Sequence, residues 1–222
     1  MVKIRDLENG ADLCLRNAER LIEDAELLSE HESYGHATSL VYLGLEELGK
    51  ALEFSRAYFF GEELEDKNDV FRYHKKKMRL STGAILGPAI VEVFRTHAKE
   101  RPLTKESIQK FARETDLISR LEKAIQEAHE RRKAGFYVGY ENGEWCSPSN
   151  IRREEAKSLV DFGKQGLAEI GFICKMLIKG APLRDKLCSE ALKRCKAALD
   201  KGEISQELYD AVSSELETLT KK

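Results

Sequence analysis

The chain has 222 residues, 34% of them charged, and a formal net charge of −2. That length holds one helical domain of good size plus a small appendage, and the near-neutral balance supplies no global field that would draw the protein to nucleic acid. No apolar run approaches the ~18 residues of a membrane span, and the N-terminus is charged and amphipathic from Lys3 onward, so neither a membrane partner nor a signal peptide is expected. The cysteines, Cys14, Cys146, Cys174, Cys188 and Cys195, are odd in number and form no C-x-x-C. Reduced thiols in a cytoplasmic protein are the expectation.

The first helix is expected over residues 4–28. Ile4, Leu7, Ala11, Cys14, Ala18, Leu21, Ala25 and Leu28 follow in unbroken steps of three and four, a heptad seam that packs along a neighbouring helix. Tyr34-Gly35 is read as the turn. A second helix over about 33–60 ends at Gly61 and carries Glu46-Glu47-Leu48-Gly49-Lys50. The same spacing puts Leu40, Leu43, Glu47, Ala51 and Phe54 on one face. A buried carboxylate costs several kcal/mol, by rough estimate, unless paired, so Glu47 requires a partner from another helix. Glu46 lies about 100° away and is read as a solvated pair with Lys50.

A third helix, capped by Asn68 or Asp69, places Val70, Phe71, His74, Met78 and Ile85 on one face with Lys77 at its edge. Glu47 is expected to meet His74, with Lys50 or Lys77 nearby; a buried structural hydrogen bond accounts for the spacing as well as a site does. Arg72, Lys75, Lys76, Lys77 and Arg79 form a basic run, read as a solvated helix face. Gly87-Pro88 kinks or divides the helix, and a shorter apolar piece follows over 90–97.

Pro102-Leu103-Thr104 opens a fourth helix, with Thr104 as N-cap and Leu103 against Ile108 as a hydrophobic staple. Its inner stripe runs through Ile108, Phe111, Thr115, Ile118, Leu121, Ile125 and Ala128 to Arg132. Arg132 either extends the seam as a functional cation or complements the helix dipole. Asn142-Gly143, between Phe136-Tyr137-Val138-Gly139-Tyr140 and Glu144-Trp145-Cys146, signals a β-hairpin over about 136–146. A fifth helix opens at 148–150. Ala156, Val160, Gly163, Leu167, Ile170, Cys174 and Leu177 form its seam, and Gly163, Gly166 and Gly171 would admit a close backbone. Gly180-Ala181-Pro182 marks a boundary between a helical domain, 1–180, and a C-terminal helical hairpin, 181–222, with Lys201-Gly202 as its turn.

Glu46-Glu47-Leu48-Gly49-Lys50 followed by His74-x-x-Lys77, and then Arg132-Lys133-Ala134-Gly135-Phe136-Tyr137-Val138 with the hairpin into Trp145 and Pro148, resemble the AbiV family of abortive-infection proteins over about residues 17–177. The resemblance implies an all-α, HEPN-like antiparallel helical bundle. Many members of that superfamily dimerise and cleave RNA, usually with an Arg, four to six residues, then a His. No His here follows an Arg at that spacing; Tyr137 stands at the corresponding place after Arg132, and a phenol with a pKa of about 10 is a poorer general base than imidazole. The tail after Pro182 resembles the short helical SHOCT module, which implies oligomerisation or partner binding.

Two functions follow. One is a phage-defence effector acting on RNA or translation, as a metal-independent HEPN-type ribonuclease: His74 the base, Lys77 and Arg132 the cations, Glu47 the orienting carboxylate, Tyr137 near the end of the cleft, and Glu46, Lys50 and Arg72 in support. The other is a non-catalytic dimer that binds a protein partner, such as a phage protein, and whose polar group is structural. A homodimer is expected in either case. No G-x-S-x-G, P-loop, H-E-x-x-H or Cys-His spacing is present, so no metal and no cofactor are expected.

Overall fold

The structure, a computed structural model, describes residues 1–65, 72–74, 76–85, 117–141 and 143–220. The caps at Asn68 or Asp69, the Gly87-Pro88 break, the 90–97 piece, the Thr104 cap and the 108–115 part of the fourth helix's stripe lie outside the described residues.

Six helices are named here in chain order: α1 Ile4–Glu30, α2 Tyr34–Phe60, α3 Leu117–Ala134, α4 Arg153–Gly180, α5 Arg184–Asp200 and α6 Gln206–Thr220, with a further helical run over 76–85 between α2 and α3. The fold is all-α, with one two-stranded antiparallel sheet, β1 Gly139–Glu141 and β2 Glu144–Cys146. The register pairs Tyr140 with Trp145 and Glu141 with Glu144, which leaves a two-residue turn, and Gly143 takes φ 89, the left-handed conformation that such turns require.

Helix α2 is the centre of the bundle. It packs along α1 and α4 and, near its start, against α3. Its buried residues include Val41, Leu45, Leu48 and Ala51 but also Ser39, Tyr42, Glu46 and Glu53, so burial extends round much of the helix. Helix α1 follows its heptad through the middle, burying Leu7, Ala11, Cys14, Ala18 and Ala25; Ile22 rather than Leu21 fills the sixth position, and at the ends Ile4 is exposed and Leu28 only partly buried. Ile22 reaches into the space over Gly44 and Gly163, where an added methyl would stand 3.0 and 3.5 Å from its Cγ1. Gly166 likewise receives Ile85 Cδ1, 2.8 Å from where a Cβ would sit, whereas Gly171 has none of the described residues within 4 Å.

Gly35 is not a turn residue. It lies inside α2, and the chain reverses instead at Glu32, which takes φ 61. The reason for glycine at 35 is proximity, since a Cβ there would fall 2.6 Å from Pro148 Cβ. Residues 148–150 form a separate 3-10 turn, capped by Ser147 Oγ on the Ser149 amide, and α4 begins only at Arg153, five residues after the opening proline. The two C-terminal helices pack on each other, and Arg184 Nη1 donates to Phe60 O at 2.9 Å, which joins them to the end of α2.

Candidate functional site: a buried carboxylate with a histidine and cations

Two close approaches bring three segments together. The first is at Gly49, where an added Cβ would clash with the Lys77 carbonyl, so only glycine lets the 76–85 run lie directly on α2. The second is at Gly135, just past α3, where a Cβ would meet Ser39 Oγ and the Gly35 carbonyl. Ser39 Oγ donates to Arg132 O at 2.8 Å, satisfying one of the carbonyls that a helix C-terminus leaves without an intrahelical partner. The end of α3 is thereby fixed against α2 about two to three turns before Glu46.

Glu46 occupies the space these contacts enclose. It is 4% exposed. Its Oε2 lies 2.5 Å from His74 Nδ1, and its Oε1 lies 3.6 Å from Arg132 Nε. With the carboxylate ionised, Nδ1 carries the proton and donates, which makes Nε2 the basic nitrogen of the ring. Arg132 is mostly enclosed; its Nε is buried with no hydrogen-bond acceptor in range among the described residues, so its pairing with Glu46 is coulombic. Lys77 is also buried. Burial pushes its ammonium below the ordinary lysine value, Glu46 opposes that shift, and Lys50 adds to it.

The adjacent carboxylate does different work. Glu47 pairs with Lys50 and helps to hold the Cys14 thiol of α1 in its protonated form. The expected pairing of Glu47 with His74, and the reading of Glu46 as a solvated partner of Lys50, are therefore reversed in the structure. Of the expected stripe, Ala51 and Phe54 are buried, but Leu40, Leu43 and Glu47 are only partly so, and the more deeply buried sides of α2 lie elsewhere round the helix. The informative pattern was the small and polar one: Gly35, Ser39, Tyr42, Glu46, Gly49 and Glu53, also spaced by threes and fours, with every member buried.

Among the proposed site residues, the structure thus brings Glu46, Glu47, Lys50, His74, Lys77 and Arg132 into one neighbourhood, with three full cations against two carboxylates. Tyr137 stands outside it, 70% exposed, with its ring against Phe136 at 6.2 Å. Arg72 is exposed. Among the described residues no three of His, Cys, Asp and Glu gather as a metal site would require, and no helix is long and apolar enough to cross a membrane.

No curated protein and no solved structure matches the chain. The family model HEPN_AbiV, described as AbiV, matches residues 6–168, a span that begins in α1, includes every residue of the Glu46 cluster and ends within α4. The all-α bundle, its central polar helix and this match lead to one conclusion: the chain belongs to the AbiV family of HEPN proteins.

Proposed function

We propose that this chain is an abortive-infection effector that acts on RNA as a metal-independent endoribonuclease. Family membership supports the defence role. The observation that carries the chemistry is the Glu46–His74 contact with Arg132 and Lys77 beside it. RNA cleavage without a metal needs a base for the ribose 2′-hydroxyl and positive charge for the phosphate. His74, oriented by Glu46, takes the 2′-hydroxyl proton; the 2′-oxygen attacks phosphorus; the 5′-oxygen departs and takes a proton from solvent. The products end in a 2′,3′-cyclic phosphate and a 5′-hydroxyl. Arg132 and Lys77 stabilise the charge that builds on the phosphate oxygens, and Glu46 replaces Glu47 as the orienting carboxylate.

A second copy completes the proposed assembly. The open surface around Gly171, with Phe172 63% and Met176 57% exposed on α4, supports a homodimer through that face. The missing Arg-to-His spacing favours a second reading, in which the Glu46 cluster only holds α2, α3 and the 76–85 run together while the dimer binds a protein partner.

Incubation of the purified protein with total RNA, with and without EDTA, separates the two. The ribonuclease reading expects fragments with 2′,3′-cyclic phosphate ends, no effect of EDTA, and a loss of at least about 10²-fold in rate on His74→Ala. Cleavage or cell protection retained by a folded His74→Ala, Arg132→Ala double variant would overturn it.

A further inference from the structure

The β-hairpin has its polarity reversed. Side chains alternate across a strand, so Tyr140 and its cross-strand partner Trp145 share one face with Val138, while Gly139 and Cys146 take the other. The bulky face is the outer one: Val138, Tyr140 and Trp145 are 65%, 60% and 69% exposed, whereas Gly139 and Cys146 are half-buried. Burying aromatic rings against the bundle would have stabilised the fold. Folding therefore does not explain why this face points to solvent.

We infer that this outward aromatic face is a stacking surface for the unpaired bases of a single-stranded nucleic acid. The inference rests on the RNA reading of the Glu46 site and adds the form of RNA that the protein takes. Tyr140 and Trp145 meet edge to face, centroids 5.2 Å apart at 64°, which leaves ring surface open to a base. Tyr137, exposed just before the hairpin, extends the row towards α3.

The mount is firm, although an isolated two-stranded hairpin is marginal in water. The Tyr137 amide donates to Lys133 O at 2.9 Å, Asn150 Nδ2 donates to Trp145 O at 3.2 Å, and Pro148 sits on Gly35 of α2. The rings are thus attached to the same two helices that carry Glu46 and Arg132.

Charge selects the occupant. Arg131 and Lys133 precede the hairpin, Arg152 and Arg153 follow it, and all four are exposed. Of the carboxylates in this stretch, Glu155 is paired with Arg131, and Glu154 lies beside it in the first turn of α4. Glu141 and Glu144 stand opposite each other in the backbone register at the hairpin tip, and strand alternation sets Glu144 on the face opposite the rings. Rings flanked by cations suit a polyanion with flat bases. A second copy of the chain fits less well: two rings of roughly 150–250 Å² each and a valine fall short of the roughly 800 Å² per partner of a stable interface.

Trp145 is the one tryptophan in the chain, so its fluorescence reports on this face alone. The probes are a ten-nucleotide 2′-O-methyl RNA, which stacks but cannot be cleaved through its blocked 2′-oxygen, and the duplex of the same sequence. The single strand is expected to quench Trp145 saturably and the duplex to leave it unchanged. Tyr140→Ala and Trp145→Ala, followed with end-labelled probe, should each weaken binding about 10-fold, and Trp145→Phe should restore most of the loss.

No saturable quenching, equal affinity for duplex, or binding indifferent to both alanine variants would overturn the inference. So would a change in sedimentation of those variants, which would assign the face to a protein contact. Ring-dependent binding by a protein that does not cut RNA would sink the ribonuclease and leave the stacking surface standing. Cleavage with unchanged KM in Tyr140→Ala and Trp145→Ala would do the reverse.

Discussion

The two sides of α2 are built on different rules. Towards α1 it meets small and aliphatic residues, Leu7, Ala11, Ala18 and Ile22, and the polar intruder from α1 is the neutral thiol of Cys14. Towards α3 and the 76–85 run it presents Ser39, Glu46 and Gly49 to Arg132, His74 and Lys77. The first side is held by burial of apolar area, which tolerates modest changes of shape. The second is held by charges removed from water, where each group is needed to offset its neighbours' desolvation. One position along the helix, from Glu47 to Glu46, separates the two regimes.

The sharpest way to break that comparison is to remove each carboxylate in turn. Glu46→Ala leaves Arg132 and Lys77 enclosed without their counter-charge and is expected to cost about 3 kcal/mol or more. Glu47→Ala breaks a partly exposed pair with Lys50 and should cost about 1 kcal/mol. Urea denaturation of both variants measures the gap. Equal losses would mean that the two sides do not differ in kind.

Backbone proximity gives the next contrast. A methyl at Gly49 must displace the Lys77 carbonyl, while one at Gly171 meets none of the described residues of its own chain. Gly49→Ala should cost about 2 kcal/mol through overpacking, and Gly171→Ala should stabilise by up to about 1 kcal/mol by removing a flexible residue from a helix. Thermal melts of the pair decide it, and a benign Gly49→Ala would show that the 76–85 run can shift away without loss.

The apolar side has an effect of its own that appears only at high pH. Burial pushes the Cys14 thiol from 9.0 up to about 12, with Lys50 opposing and Glu47 reinforcing the shift. Between those values the unfolded chain has released the proton and the folded chain has kept it. This contribution is therefore intact below pH 9 and is lost as pH rises towards 12, with a slope of at most about 1.4 kcal/mol per pH unit. Tyr42 and Cys174 are raised, chiefly by burial, and act with the same sign, whereas Lys77 is lowered and opposes them. Cys14→Ala should flatten the alkaline decline seen in chemical denaturation. Parallel curves for wild type and variant would discard Cys14 as its source.

Legibility in the sequence followed the same division. Helix α1 has one buried stripe, and its heptad named five of the six positions the structure buries. The hairpin was readable because Asn142-Gly143 is a local signal, independent of what packs nearby. Glu46 was misread for the opposite reason. When a helix is surrounded, apolar periodicity no longer singles out one face, and which of two adjacent carboxylates is buried depends on Gly49 and Gly135, whose partners lie 28 and about 100 residues away in the chain. Gly35 failed in the same way, since glycine is equally the residue of a turn and of a tight crossing.

The Arg184 contact with Phe60 O bears on how this protein can be dissected. Helix α2 ends in a left-handed Gly61, with the Glu62 amide returning to Ala57 O at 2.8 Å, and the guanidinium supplies both a donor and a positive charge at the negative end of the helix dipole. The residue that does so lies two positions beyond Pro182, on the far side of the most obvious place to divide the sequence. A fragment cut at Gly180 loses more than an appendage: it removes the terminal cap of the helix that carries Glu46, so a loss of activity in such a fragment would report on α2 as much as on the tail. A cut placed after Asp200 keeps that cap and tests the last helix alone.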